Sequence, residues 1–351
     1  MFTDSQSTLP GVSRLLTQAT PEFPRHSEGD LILLKDERLL HVWGRKSGAE
    51  DTDAGVILAA NSTDAGLTWD DEPRLLFAPW DDLTDIMSVS LCRASNGIHL
   101  FFLGRGTDRL ADCRVYQSIS HNEGSTWSTP QRLPAKAGYN VVNNARVILT
   151  ATGRLLIPIA HIAGSAARYF DTMRVYCLYS DDLGHSWQRS SDIGLPDAPL
   201  MEPGVVECAD GSIYMTIRTA LGYVYESRSQ DVGATWCEPI RTTLVSPSAP
   251  ATLLRDPHSA DLWIFYCANP AGAEADWAER NPLAVAISQD HGATWGESRL
   301  IEDDPGKSFS YISADVVGDF LHLTYYDWSK GVPNFYLTNI RHRIIPLTWI
   351  R

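Results

Sequence analysis

An eight-residue box recurs five times along the 351-residue chain, and no other pattern in the sequence narrows the choice of fold as much. The box reads Ser-x-Asp-x-Gly-x-Thr-Trp, with one Asn in place of Asp and one Ser in place of Thr. Its copies span residues 62–69, 120–127, 180–187, 229–236 and 288–295. Successive Asp or Asn positions are 58, 60, 49 and 59 residues apart. Self-similarity at such a period is typical of solenoids and propellers.

Six tight turns between apolar segments run in phase with the box. They are centred on Asp36, Asn96-Gly97, Gly153, Asp210-Gly211, Asp261 and Gly318. Asn-Gly and Asp-Gly between apolar strands are strong hairpin signals. Six turns and five boxes leave about four short strands for each unit, which is the size of one propeller blade. The sequence therefore predicts an all-β fold, a six-bladed β-propeller with four-stranded antiparallel blades, in which the last blade lacks its box.

The repeat fills the chain, so a single domain is expected over residues 1–351. Only short ends remain at residues 1–23 and 344–351, and we expect one of them to complete a blade. The box itself has a mechanical explanation. Its Asp accepts hydrogen bonds from the backbone of its own turn, its Gly supplies a positive φ and its Trp is an apolar plug. Because it occurs five times, we interpret it as structural rather than catalytic.

Composition and charge exclude several classes of partner. The formal net charge is −14 and no Lys/Arg-rich run is present, so nucleic acid is not an expected partner. No apolar run is long enough to span a bilayer. Residues 1–14 have neither a basic nor an apolar region of a signal peptide, so a cytoplasmic protein is expected. A blade arrangement buries its strand edges and demands no pairing strand, which leaves the oligomeric state open.

No cofactor or metal is expected from the sequence. The six cysteines are scattered without a CxxC pair, which favours reduced, mostly buried thiols. His26 and His161 have no second ligand at metal spacing, so they are interpreted as ordinary histidines.

Five boxes at this spacing resemble the Asp boxes, or BNR repeats, of the sialidase (neuraminidase) superfamily, and the resemblance covers residues 24 to 343. It implies a propeller whose site lies at the mouth of the central channel. Asp boxes also occur in propellers with other activities, so the reaction depends on single residues. The segment from Glu202 through Asp210-Gly211 to Arg218 is similar to the sialidase strand-turn-strand in order and length. By this resemblance Glu202 is the base that activates the nucleophile, and Arg218 is one of three arginines that grip the substrate carboxylate.

Three further roles follow from the same resemblance. Arg280 lies eight residues before the Ser of the last box, where the family places a second arginine. Tyr311, near the start of the last blade, matches the family's nucleophile. The acid/base Asp lies about eleven residues before the first box, which indicates Asp51, with Asp53 as a close rival.

The first arginine of the triad is less well matched. Alignment on the Asp36 turn puts Ser27 where sialidases have an arginine, and Arg25 lies two residues earlier. Arg45, after the second strand of that blade, is an alternative. Glu28 and Asp30 would add negative charge at the same place, and both are candidate substrate contacts.

The run 139–146 contains Asn143, Asn144 and Arg146, which are candidate ligands of sugar hydroxyls. This run, with Ser-Glu-Gly-Asp at 27–30 and the Glu-Pro-Gly-Val-Val-Glu segment at 202–207, resembles a bacterial sialidase-like subgroup. The resemblance implies an exo-acting, retaining glycoside hydrolase that releases a terminal sialic acid or a related acidic sugar from a glycan. Two alternatives stay open: a hydrolase or lyase of the same fold acting on a different sugar, and a carbohydrate-binding propeller without turnover.

Overall fold

The computed structural model describes residues 9–351 apart from residues 109–110, 165–172, 277 and 333–334. The prediction of an all-β fold is confirmed. Helical structure in the described residues consists of a 3₁₀ turn at Gly272–Glu274 and a short C-terminal helix, α1 (Leu347–Ile350). No helix in the described part of the chain has the length and apolarity needed to cross a bilayer.

Within the described residues, fourteen strands precede residue 190. They are β1 (Val12–Thr17), β2 (Arg25–Leu33), β3 (Leu39–Lys46), β4 (Gly55–Ser62), β5 (Arg74–Phe77), β6 (Asp85–Ala94), β7 (Gly97–Arg105), β8 (Cys113–Ser120), β9 (Gln131–Arg132), β10 (Tyr139–Val141), β11 (Ile148–Leu149), β12 (Leu155–Ile162), β13 (Arg174–Ser180) and β14 (Gln188–Arg189).

Eleven strands follow. They are β15 (Met201–Glu207), β16 (Ile213–Arg218), β17 (Tyr223–Ser229), β18 (Ile240–Val245), β19 (Thr252–Arg255), β20 (Leu262–Cys267), β21 (Leu283–Ser288), β22 (Arg299–Glu302), β23 (Lys307–Val317), β24 (Phe320–Ser329) and β25 (Asn339–Pro346).

The strands pair mainly as four-stranded antiparallel sheets. Three of these sheets are continuous in sequence: β2–β5, β15–β18 and β19–β22. A fourth has the order β1-β25-β24-β23, so the N-terminal strand completes the sheet of the last three strands, as predicted for one chain end. Strands β6–β14 form a nine-stranded sheet. Within it, the series β6–β9 and β10–β14 meet where Tyr139 pairs with Cys113 in parallel.

All six predicted turns separate paired antiparallel strands. They join β2 to β3, β6 to β7, β11 to β12, β15 to β16, β19 to β20 and β23 to β24. Gly97 and Gly211 have φ values of 143° and 84°, which a residue with a Cβ adopts at a cost. The strands that precede the turns lie beside one another: β2 lies beside β6 and β23, β11 beside β6, and β19 beside β15 and β23.

The five boxes lie in the loops that follow the third strand of each unit, after β4, β8, β13, β17 and β21. In the first box, Ser62 Oγ donates to Asp64 Oδ1 over 2.8 Å and accepts from Gly66 N over 2.8 Å. Thr68 N donates to the same Asp64 oxygen over 2.8 Å. In the second box Asn122 Oδ1 accepts from Thr126 N over 2.9 Å, so an amide serves equally well. These contacts support the structural interpretation of the box.

Candidate active site

Four of the strands that precede the turns carry a bulge at the same position, and this bulge aims a side chain at one cavity. The interruptions of register lie at 27–30 in β2, 87–90 in β6, 201–204 in β15 and 310–313 in β23. The first bulged residues are Glu28, Ser88, Glu202 and Tyr311, with φ of 34°, 58°, 41° and 56°. A bulge re-aims a side chain, and positive φ in a non-glycine residue costs about 1–3 kcal/mol. All four residues line the same cavity.

The cavity has a volume of about 480 Å³ and is lined by most of the predicted site residues. Seven predicted residues line it: Arg25, Glu28, Asp51, Glu202, Arg218, Arg280 and Tyr311. They come from β2, the loop after β3, β15, β16, the segment before β21 and β23. Residues far apart in sequence therefore face one space.

Tyr311 and Glu202 form a hydrogen-bonded pair inside this cavity. The Tyr311 hydroxyl donates to Glu202 Oε1 over 3.2 Å, and Arg218 Nη1 donates to Glu202 Oε2 over 2.6 Å. Burial and the charge of Glu202 raise the pKa of the Tyr311 phenol well above its ordinary value, so the phenol is neutral. Burial acts to raise the pKa of Glu202, but the Arg218 and Arg280 guanidiniums hold it below the ordinary value. A neutral phenol thus lies beside an ionised carboxylate.

Three guanidiniums surround the Tyr311–Glu202 pair. Arg280 lies 5.3 Å from the centre of the Tyr311 ring, and its Nη1 donates to Ser310 Oγ over 2.8 Å. Arg25 and Arg280 lie 4.8 and 5.8 Å from the ring centre of Phe335. Arg25 therefore lines the same cavity as Arg218 and Arg280, and Ser27 is not among its lining residues.

Asp51 lies at the cavity rim and is paired with Arg25. Arg25 Nη1 lies 2.5 Å from Asp51 Oδ1, and the Asp51 side chain is 64% exposed. The Arg25 charge, against partial burial, holds the pKa of Asp51 well below its usual range. Lys46 Nζ donates to the main-chain oxygen of Asp51 over 3.0 Å and to Asp85 Oδ2 over 2.8 Å. A buried ion pair therefore supports the loop that carries Asp51.

A family model described as the BNR repeat-like domain matches residues 37–323. The chain belongs to this family, within the sialidase superfamily. A sialidase of Paraclostridium sordellii is 27% identical over 223 residues, which is 55% of this chain and 52% of that protein. The chain therefore spans about half the length of that relative.

Solved structures show that the fold of this BNR repeat-like chain is shared with sialidases. The Hadza microbial sialidase Hz136 superposes with a TM-score of 0.78 at 17% identity, over 96% of this chain and 69% of that chain. Trypanosoma rangeli sialidase in complex with sialic acid gives 0.73 at 14% identity, over 96% and 59%. A Dyadobacter fermentans protein of unknown function gives 0.75 at 18% identity, over 95% and 99%.

Two predicted substrate contacts of the BNR repeat-like domain do not reach the cavity. Arg45 is half-buried and its guanidinium stacks 3.8 Å over the Phe23 ring, so the structure does not bring it to the other predicted site residues. Asp53 Oδ2 accepts from Glu50 N over 2.8 Å and caps its own loop. The structure thus brings Asp51, rather than its rival Asp53, to the cavity.

Three other residues predicted as substrate contacts do not line the cavity and are buried behind its wall. Asp30 is buried and accepts hydrogen bonds from Leu91 N and Ser313 Oγ. Asn144 Nδ2 donates to Gly29 O over 2.8 Å and to the main-chain oxygen of Tyr311 over 3.0 Å. These contacts tie together the bulged strands that present Glu28 and Tyr311.

Arg146 belongs to the same supporting layer. It is 2% exposed, its main-chain N–H donates to Ser90 Oγ over 3.0 Å and its Nη1 donates to Thr252 Oγ1 over 2.8 Å. Thr252 in turn donates to Ile312 O in the bulge of β23 over 2.7 Å. Arg146 therefore acts on the cavity through its walls.

Several residues that line the cavity were not identified from the sequence, chiefly Arg105, Tyr139 and Phe335, whereas Asn143, which was named as a candidate, lines the cavity. Arg105 Nη2 donates to the Tyr139 hydroxyl over 2.6 Å, and Nη1 lies 3.2 Å from Asp85 Oδ2. The Asn143 side chain hydrogen-bonds to Glu202. Tyr139 and Asn143 belong to the polar run at 139–146, which was the available signal. Nothing in the sequence around Arg105 or Phe335 indicates a role.

The described residues contain one group with the composition of a metal site. Ligand atoms of Cys208, Asp210 and His291 lie within 4.8 Å of one another, but none of these residues lines the cavity. The Arg255 and Arg228 guanidiniums donate to the carbonyls of Cys208 and His291. Positive charge at this position opposes a cation, so we assign no metal role to the group.

Proposed function

We propose that the chain is an exo-acting, retaining glycoside hydrolase that releases a terminal sialic acid or a related acidic sugar. The observation that carries this proposal is the cavity in which the Tyr311–Glu202 pair is surrounded by Arg25, Arg218 and Arg280. A volume of about 480 Å³ lies toward the small end of ligand sites and suits one sugar unit. One sugar unit at a cavity mouth is the arrangement expected for removal of a terminal residue.

We also infer that the six strand units close as a six-bladed propeller, with the cavity at its axis. The adjacency of the strands that precede the turns supports this inference. Strand β2 lies beside β6 on one side and beside β23, the first strand of the last unit, on the other. The pairing of β1 with β25 would join the two chain ends in one blade, which removes free strand edges. The single domain over residues 1–351 remains part of this proposal.

The arginines explain the preference for an acidic sugar. Guanidiniums present planar forks of N–H donors that hold a carboxylate bidentately, whereas lysine acts as a point charge. A carboxylate on the anomeric carbon would repel an anionic nucleophile. A tyrosine phenol is neutral as it approaches, and this difference removes the repulsion. Sialidases with a Tyr nucleophile are known exceptions to the two-carboxylate scheme of glycosidases.

In the first step, the Tyr311 oxygen attacks the anomeric carbon while its proton passes to Glu202 Oε1. The bond to the leaving oxygen breaks, and protonated Asp51 donates its proton to that oxygen. The product of this step is an aryl glycoside of the tyrosine phenol, in which the anomeric carbon is bonded to the Tyr311 oxygen. In the second step Asp51 removes a proton from water and the water oxygen attacks the anomeric carbon. The bond from that carbon to the Tyr311 oxygen breaks, and Glu202 returns its proton to Tyr311. Two inversions give overall retention of configuration.

Asp51 requires a change before it can act as the acid. In the ligand-free structure Arg25 keeps this carboxyl ionised. A substrate carboxylate bound to Arg25 would share the guanidinium charge and bring a second negative charge close to Asp51. Both effects favour proton uptake by Asp51. Binding of an acidic sugar would thus prepare the acid that its own cleavage needs.

The proposal is tested by hydrolysis of a panel of 4-methylumbelliferyl glycosides by the whole chain. We expect release of the fluorophore from the α-sialoside, and at least about tenfold less release from its methyl ester, because the ester lacks the charge that the arginines bind. The β-galactoside and α-fucoside are neutral controls. Turnover of a neutral glycoside in preference to the sialoside would indicate a different sugar. A well-folded chain that releases the fluorophore from no glycoside would contradict the enzyme proposal.

A further inference from the structure

Glu28 is one of the four bulged residues that line the cavity, and the mechanism above does not use it. Its carboxyl lines the cavity with Arg25, Asp51, Glu202 and Tyr311. Ser88, at the matching bulge of β6, donates a hydrogen bond to Glu28 Oε2. The Glu28 main-chain N–H donates to the Tyr326 hydroxyl over 3.0 Å. The carboxyl is therefore held from β6, and the main chain that carries it is held from β24.

The position of Glu28 is unusual for a pocket that binds an acid. Arg25, the cation of its own strand, is paired with Asp51, and Arg218 is paired with Glu202. Among the residues that the structure describes, the hydrogen bond to the Glu28 carboxyl comes from the neutral hydroxyl of Ser88. When ionised, it adds a negative charge next to the guanidiniums that would bind the substrate carboxylate. When protonated, it adds none and can donate a hydrogen bond.

We propose that Glu28 makes capture of an acidic sugar depend on proton uptake by this carboxyl. The inference rests on the proposed function, because it assumes that the arginines bind a carboxylate. Protonated Glu28 admits the anion, whereas ionised Glu28 repels it and competes for the arginine charge. Glu28 is thereby a specificity-determining residue that discriminates between acidic and neutral ligands according to pH.

The surroundings place this switch in the neutral pH range. The charged and titratable groups around the carboxyl are Arg25, Asp51, Glu202, Arg146, Tyr311 and Tyr326. Burial, aided by the charges of Glu202 and Asp51, raises the pKa of Glu28 to about 7, against the Ser88 hydrogen bond and the charge of Arg25. Ligand affinity should therefore be full below pH 7 and fall as Glu28 ionises above it. The limiting slope is tenfold for each pH unit.

The experiment measures the Kd of 2-deoxy-2,3-didehydro-N-acetylneuraminic acid and of its methyl ester by calorimetry from pH 5.5 to 8.5. We expect the acid to bind the wild type about tenfold more weakly for each unit above pH 7, and the ester to show no such slope. Glu28→Gln should bind the acid with nearly constant affinity over the range. Glu72→Gln, an exposed position, is the matched control and should keep the wild-type slope.

A second variant keeps the test informative if Glu28→Gln folds poorly. Ser88→Ala removes the hydrogen bond that lowers the pKa of Glu28, so this pKa should rise and the fall in affinity should begin at higher pH. An unchanged slope in Glu28→Gln, or an unchanged midpoint in Ser88→Ala, would overturn the role of Glu28 alone. Binding with this pH dependence but without hydrolysis would contradict only the enzyme proposal. Failure of the acid to bind at any pH would contradict both.

Discussion

Replacement of Tyr311 by Phe is expected to lower kcat for α-sialoside hydrolysis by roughly 10³-fold or more, because the variant lacks the oxygen that attacks the anomeric carbon. The phenyl ring keeps its contacts, since Phe retains the shape that packs 4.8 Å from Tyr326. Ligand affinity should therefore change far less than kcat. Steady-state kinetics with 4-methylumbelliferyl α-sialoside and calorimetric Kd values separate the two effects.

Tyr266→Phe is the matched control for this experiment. Tyr266 is also buried, and its hydroxyl hydrogen-bonds to Ser298 Oγ over 2.6 Å, but it does not line the cavity. It should retain kcat within a factor of about two while losing a comparable hydroxyl contact. If Tyr311→Phe retained wild-type kcat, Tyr311 would not be the nucleophile.

Asp51→Asn is expected to lower the rate for a sialoside with an alkyl leaving group by roughly 10²–10⁴-fold. Departure of an alkyl oxygen needs a proton, which an amide cannot supply. A 4-nitrophenyl leaving group needs little help, so its first turnover should be much less impaired. The later turnovers should remain slow, because the same residue activates water. Pre-steady-state release of nitrophenol, compared with release of sialic acid from 3′-sialyllactose, measures this difference.

Asp53→Asn provides the control in the same loop. Its carboxylate accepts from Glu50 N and does not line the cavity. We expect little change in rate with either leaving group. Equal losses for aryl and alkyl substrates in Asp51→Asn would contradict the acid role of Asp51 and would indicate that it only positions Arg25.

The all-β fold was predicted from the sequence because the boxes and turns that end its strands are repeated along the chain. The box and the six turns depend on local chemistry: a Ser and an Asp that bond within their own loop, and glycines at positive φ such as Gly66 and Gly211. Hydrogen bonds within a loop can be predicted from residues that are neighbours in the sequence. The pairing of β1 with β25 joins residues more than three hundred positions apart. It was predicted only in outline, because a chain end had to complete a unit.

The site was predicted less completely, for a physical reason. The positions of Glu28 and Tyr311 depend on bulges with positive φ in non-glycine residues. No local sequence pattern predicts such a bulge. Arg25 and Arg45 were equal candidates in sequence. The structure separates them, because Arg25 opens β2 and faces the cavity while Arg45 stacks on Phe23. Asp30 has the residue type of a ligand, yet burial behind β2 makes it a partner of Leu91 and Ser313 instead.

Arg105 lines the cavity, but its role could not be predicted from a single sequence. It lies at the end of β7, with no motif around it, and contacts Asp85, Tyr139 and the main-chain oxygen of Asp51. Buried charges are stable only when they are paired and hydrogen-bonded. The network of Lys46, Asp85 and Arg105 satisfies that condition, but its members come from three different strands. Only their three-dimensional arrangement reveals that they support the loop of Asp51.

The most direct test of the mechanism is to trap the glycosyl-tyrosine. The chain is incubated with 2,3-difluorosialic acid, whose fluorine at C3 slows both steps while fluoride at C2 provides a good leaving group. Intact-mass analysis and peptide mapping then locate any adduct. The account predicts one added glycosyl mass, on the peptide that contains Tyr311, and none in Tyr311→Phe. Turnover of the α-sialoside without any adduct, or an adduct on another residue, would contradict a mechanism in which Tyr311 is the nucleophile.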